Sequence, residues 1–142
     1  MIDEKVLQEK MLVYKTLESR LNAFVKQGEL VSSKIAEIMS TISSIEEVEK
    51  NKDEVLFKLG SESYISGRIT GGNVLVEIGA GVVLEKPLEE GKEILHKRKE
   101  ELESALNEIQ KGVAETSEAM GKLASEINEI AHAMQMQNRV AE

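Results

Sequence analysis

The sequence predicts a mainly α fold with a small β part: a long antiparallel two-helix coiled coil joined by two β-hairpins. Three observations predict it. Apolar residues recur every three or four positions from Leu7 to Ile45 and again from Leu102 to Met134. Between these runs, Val55 to Ser66 and Val74 to Glu85 align without gaps as two copies of strand, glycine turn and strand. Finally, the 142 residues hold two Phe, two Tyr and no Trp, too few rings for a thick globular core. Helices buried along one seam need no such bulk. A single domain over 1–142 is expected, with an N-terminal helix at 3–50, hairpins at 54–86 and a C-terminal helix at 87–140.

In the first helix, a heptad register with Leu7 at a puts Leu7, Tyr14, Leu21, Gly28, Ile35 and Ile42 at a. Lys10, Leu17, Phe24, Val31, Ile38 and Ile45 then fall at d. A sustained 3.5-residue repeat keeps one seam against a partner helix, and only Lys10 and Gly28 interrupt it. Asp3 is the expected N-cap, with Glu4 at the favourable end of the helix dipole.

The two β copies read as hairpins, each with a turn opening on glycine, at Gly60-Ser61-Glu62 and Gly79-Ala80-Gly81. Gly71-Gly72-Asn73 turns the chain between them. Four short strands cannot close a barrel alone, and their open edges invite pairing with other chains. Oligomerisation follows from the residues themselves.

The second helix starts at Lys86-Pro87-Leu88-Glu89-Glu90, where Pro87 suits the first helical position and two glutamates the first turn. Leu102, Leu106, Ile109, Val113, Thr116, Met120, Leu123, Ile127, Ile130 and Met134 form its seam. Each helix is on the order of 70–80 Å long at 1.5 Å per residue. The expected register sets the weak seam positions Gly28 and Thr116 in one layer, facing Ile35 with Ile109, Leu21 with Leu123 and Leu17 with Ile127. It brings the chain ends flush, whereas a one-heptad slip would set Gly28 against Ile109. With Gly112 and Gly121 nearby, the Gly28/Thr116 layer is the expected soft point, because each helix-interior glycine costs about 1 kcal/mol relative to Ala.

Much chemistry is missing. Gly79-Ala80-Gly81 is no dinucleotide fingerprint: the third glycine would fall at Leu84, and a strand follows where a phosphate-binding helix should begin. No P-loop motif is present. His96 and His132 are the only histidines and lie off the seam. Glu46-Glu47 and Glu100-Glu101 read as solvated helix faces laced with Lys partners rather than metal ligands. No enzyme, cofactor or metal is expected. A net charge of −8 with Lys and Arg dispersed among Glu argues against nucleic acid. The absence of Cys excludes disulfides and thiol chemistry. No apolar run approaches a membrane span, and Met1-Ile2-Asp3-Glu4 lacks a signal peptide's basic start, so a cytoplasmic protein without a membrane partner is expected.

One feature exceeds a plain coiled coil. Met11, Leu12 and Val13 run consecutively over positions e, f and g, with Ile2 and Val6 farther out. Met134, Met136 and Val140 come opposite them. Apolar residues outside the seam are costly unless they contact something, and Met grips varied partners well.

With arms, paired hairpins and apolar ends placed, the chain resembles an alpha-class prefoldin subunit. The resemblance is sharpest in LGSESYISGRI (Leu59 to Ile69) and VLVEIGAGVVLEKPLEEG (Val74 to Gly91). Two hairpins rather than one mark the alpha class, and Lys58 stands where a proline is often seen. The resemblance implies an ATP-independent holdase in which two alpha and four beta-type subunits pool their hairpins into an intersubunit β-barrel. Val55, Phe57, Leu59, Tyr64 and Ile65 of the first hairpin would serve that assembly, as would Val74, Val76, Ile78, Val82 and Leu84 of the second. Val76 and Ile78 are expected to face the barrel core. The tip residues Ile2, Val6, Met11, Leu12, Val13, Met134, Met136 and Val140 would capture unfolded proteins and deliver them to a chaperonin. The alternative is a self-assembling structural coiled coil or filament built from the same hairpins.

Overall fold

A computed structural model of the chain describes residues 2–141. The elements run α1 (Ile2–Lys50), β1 (Val55–Gly60), β2 (Ser63–Gly67), β3 (Asn73–Gly79), β4 (Val82–Pro87) and α2 (Leu88–Ala141). The chain divides into two units. One joins α1 up to Ser32 with α2 from Ala105 onward; the other is Ser33–Ser104.

Several element ends differ from expectation by a residue. The first helix already includes Ile2, so Asp3 sits with Glu4 in its first turn instead of capping it. Pro87 closes β4 opposite Asn73, and α2 begins at Leu88. The Leu88 N–H donates to the Gly72 carbonyl at 3.2 Å, giving one of the helix's free N–H groups a partner.

In the first unit the two helices run antiparallel along the expected seam. Leu7, Lys10, Tyr14, Leu17, Leu21, Phe24, Gly28 and Val31 are all half-buried. Across from them Thr116 and Met120 are buried, and Leu106, Ile109, Val113, Leu123, Ile127, Ile130 and Met134 are half-buried. Lys10 is accommodated by reaching out of the seam, its Nζ 2.6 Å from a Glu126 carboxylate oxygen. A long stem covers apolar surface while its charged head reaches a partner.

The register is the one-heptad slip and not the expected alignment. A methyl group placed on Gly28 would lie 3.5 Å from Ile109 and 3.9 Å from Leu106, so Gly28 does not share a layer with Thr116. The cause lies at Phe24. Its ring covers Gly112 so closely that a Cβ there would come within 2.8 Å of it. The bulkiest seam side chain of α1 requires a facing position without a side chain, and Gly112 supplies one.

In the second unit, Ile38, Ile42 and Ile45 of α1 form a buried cluster with Leu95 of α2, flanked by Leu88 and Leu102. Each such aliphatic side chain contributes roughly 1.5–3 kcal/mol when fully buried. Lys92 binds Glu49 across the helices at 3.1 Å and Glu89 on its own helix at 2.9 Å. The first helix stops at an Asn51 turn, whose side-chain oxygen accepts from the Asp53 and Glu54 N–H groups at 3.2 and 3.4 Å.

The strands form two separate antiparallel pairs, β1 with β2 and β3 with β4. The internal repeat extends to their irregularities. Register shifts fall between Lys58 and Gly60 in one hairpin and at the equivalent Glu77 and Gly79 in the other. Gly79-Ala80-Gly81 is a hairpin turn, as read from the sequence. Ala80 and Gly81 both have positive φ, 50° and 77°, the mark of the tight turn that matches strand twist. Glu62 takes the position of Gly81 in the first hairpin with φ 53°.

Candidate functional site

Two regions hold the functional candidates, one in each unit. In the first, the side chain of Ile2 lies outside the described residues. Val6 and Met134 are half-buried and belong partly to the seam. Met11 (47 % exposed), Leu12 (67 %), Val13, Met136 (51 %) and Val140 (85 %) stand in solvent. Near them Met11, Tyr14, Lys15 and Glu18 of α1 and Ala124, Ile127 and Asn128 of α2 line an open groove of about 330 Å³. The register also accounts for Val140. With Lys10 beside Glu126, Ile2 stands level with Met134, and about the last two turns of α2 run beyond the start of α1. The ends are therefore not flush as the sequence suggested.

Charge gives this region no chemistry of its own. Lys10 is consumed by Glu126, and no cluster of three metal-ligating side chains occurs among the described residues. What the ends offer is apolar surface on a helical support.

In the second unit, the two hairpins use equivalent positions differently. Val74 and Val76 of β3 press onto Gly91 of α2, where any side chain would collide with Val74. Val76 is 6 % exposed. Arg98 of α2 donates to the Glu77 carbonyl and pins the same strand. Val76, expected to face a core shared with other chains, is covered within this chain by its own helix. Val74 is half-buried on the same helix, while Ile78, on the next turn of the pleat, remains exposed.

The first hairpin has no such cover. Phe57, the equivalent of Val76, lays its ring over Gly67 of β2 and stays exposed. Leu59, Tyr64 and Ile65 are exposed too, and Val55 is half-buried. Val82 and Leu84 of the second hairpin are exposed. Sequence reasoning missed Leu56, Leu75 and Val83, which are equally open. Residues directly opposite in an antiparallel pair share a face. Leu75 stands opposite Glu85 and Val83 opposite Glu77, so these two apolar residues occupy the face turned away from Gly91. Their alternation with glutamates hid them as a solvated face.

The lysine that ties the helices near the hairpins is electrostatically set. Hydrogen bonds to Glu89 and then Glu49 push the Lys92 ammonium above the usual lysine range. The hydrogen bond and charge of Lys92 hold the Glu89 carboxyl below the usual carboxylate range.

Comparison with known proteins accounts for this combination of paired helices and doubled hairpins. The family model described as prefoldin subunit matches residues 17–138. The chain belongs to the prefoldin family. Curated relatives place it with the alpha class. It is 26 % identical over 132 residues to prefoldin subunit alpha of Pyrococcus horikoshii, covering 90 % of this chain and 89 % of that one. With prefoldin subunit alpha of Thermofilum pendens it shares 31 % identity over 112 residues, 74 % of this chain and 87 % of the relative.

Solved prefoldin structures share the fold. A filamentous PFD from Methanocaldococcus jannaschii superposes with a TM-score of 0.68 at 16 % identity, over 84 % of this chain and 98 % of that one. The prefoldin beta subunit from Thermococcus strain KS-1 superposes with a TM-score of 0.62, also at 16 % identity, over 87 % and 90 % of the two chains. The prefoldin family is one of chaperone subunits and not of enzymes. No helix among the described residues is long and apolar enough to cross a membrane.

Proposed function

We propose that this prefoldin subunit is part of an ATP-independent holdase of the cytoplasm. Its hairpins complete a β-barrel platform with beta-type subunits, two alpha chains to four beta. Its helix ends capture unfolded polypeptide and pass it to a ring-shaped chaperonin. The observation that carries this reading is the concentration of exposed apolar side chains, Met11, Leu12, Val13, Met136 and Val140, at the free helix ends. The platform is supported by strands that each have only one partner among the described residues and by exposed Phe57, Leu59, Tyr64, Ile65, Ile78, Val82 and Leu84.

Weak contacts suit the task. A tip side chain fully buried on a client contributes about 1.5–3 kcal/mol, less when loosely held. Several arms on one platform raise avidity without any single tight site. Release then needs only a better acceptor, and no nucleotide.

The test is to mix the chain with a beta-type subunit, measure the mass of the complex, and measure suppression of client aggregation with Leu12→Ser and Met136→Ser together. Normal assembly with weakened suppression is expected. Unaltered suppression by a correctly assembled complex would remove these residues from the grip. A self-assembled filament remains the second reading, favoured by the similarity to the filamentous PFD. Homo-oligomers that persist unchanged in the presence of the beta-type chain would establish it.

A further inference from the structure

The tip carries its own chemical weak point. The chain has no cysteine and six methionines, so thioethers are its only oxidisable sulfur. The structure divides them by position. Met120 is buried in the seam, 9 % exposed. Met11 and Met136 are about half exposed, belong to the apolar helix ends, and Met11 also lines the groove beside Tyr14 and Ile127. Met39 is exposed as well, but in the unit that carries the hairpins.

We propose that oxidation of Met11 and Met136 by hydroperoxides is a reversible switch that turns off client capture at the tip. The switch rests on the tip reading given above. A sulfur lone pair attacks the outer oxygen of the hydroperoxide, the O–O bond breaks, and an S–O bond forms. The sulfur is oxidised, the peroxide is reduced, and water or an alcohol leaves with the remaining oxygen and the proton. The product is a polar sulfoxide, a strong hydrogen-bond acceptor where an adaptable apolar group had been. Burying it against an apolar client segment leaves that acceptor without a donor. The helix seam keeps its packing around the buried Met120, whereas Met134, at the seam's end, is half-buried. Reversal needs a methionine sulfoxide reductase and a dithiol, which takes up the oxygen as water and becomes a disulfide.

The experiment treats the full chain, assembled with a beta-type subunit lacking exposed methionine at its own tips, with graded hydrogen peroxide. Peptide mass spectrometry follows each methionine, and client aggregation is measured before and after treatment. Met11 and Met136 should convert before Met120. The concentration of complex needed for half-suppression should rise roughly tenfold and fall back after reductase treatment. The Met39→Leu variant should respond to peroxide as the wild type does. In Met11→Leu with Met136→Leu, suppression after peroxide should match that variant's own untreated sample. Complete conversion of Met11 and Met136 with unchanged suppression overturns the switch, and so does an equal peroxide loss in the double Leu variant. If Leu12→Ser with Met136→Ser reduces suppression in the same assay, only the switch has failed. If it does not, the tip reading falls and takes the switch with it.

Discussion

Gly28 and Gly112 both interrupt helices in the same unit, yet they meet opposite surroundings. A methyl group at Gly28 would rest in ordinary contact with Ile109, and one at Gly121 would meet nothing within 4 Å. At Gly112 it would strike the Phe24 ring. Alanine at Gly28 or Gly121 should therefore raise stability by up to about 1 kcal/mol through helix propensity alone. Alanine at Gly112 should lower it by about 1–3 kcal/mol through overpacking, and Phe24→Leu should relieve much of that loss. Urea denaturation of the single and paired variants checks this; equal effects of Ala at Gly28 and Gly112 would contradict the register. These residues also show what a sequence can and cannot specify. Heptads gave the seam of the first unit, because burial follows the 3.5-residue period. In the second unit they left out Leu95, which is buried against Ile38, Ile42 and Ile45. They could not give the alignment of the two helices, since a slip of one heptad preserves the pattern. Matching weak positions, Gly28 with Thr116, was the wrong criterion. Fitting the largest side chain to the smallest, Phe24 to Gly112, would have chosen correctly.

At the scale of elements, the hairpin repeat, its turns and both helix boundaries were legible to within a residue or so. Glycines, one proline and alternating apolar residues act locally there. The docking of β3 onto α2 was not legible, because it joins residues of two elements through Gly91, which the sequence shows only as a glycine in the first turn of a helix. That contact makes equivalent positions of a repeat unequal: Val76 is covered and Phe57 is open. Lys92 ties the same region, and its partners predict a pH response. Because the Glu89 pKa is lowered in the folded chain, its contribution is present above the usual carboxylate range and is lost as pH falls through the lowered value. Because the Lys92 pKa is raised, its contribution is present below the usual lysine range and is lost as pH rises through the raised value. Lys92→Met should therefore flatten the fall in thermal midpoint on both the acid and the alkaline side relative to wild type. Parallel curves for the two proteins would show that the Glu49–Lys92–Glu89 contact contributes nothing.

The whole molecule carries two unsatisfied surfaces: hairpins whose strands lack outer partners among the described residues, and helix ends whose apolar side chains face water. Isolated exposed apolar residues are ordinary, and Leu30 is one, 73 % exposed among Lys26, Gln27, Ser33 and Lys34. Clustering is what distinguishes the ends. Replacing either Leu12 or Leu30 by a photoreactive amino acid in the assembled complex, and measuring crosslinks to an unfolded client, tests this most directly. Efficient crosslinking from position 12 with little from position 30 is the predicted result. Equal yields from the two positions, or crosslinks from position 30 alone, would contradict it.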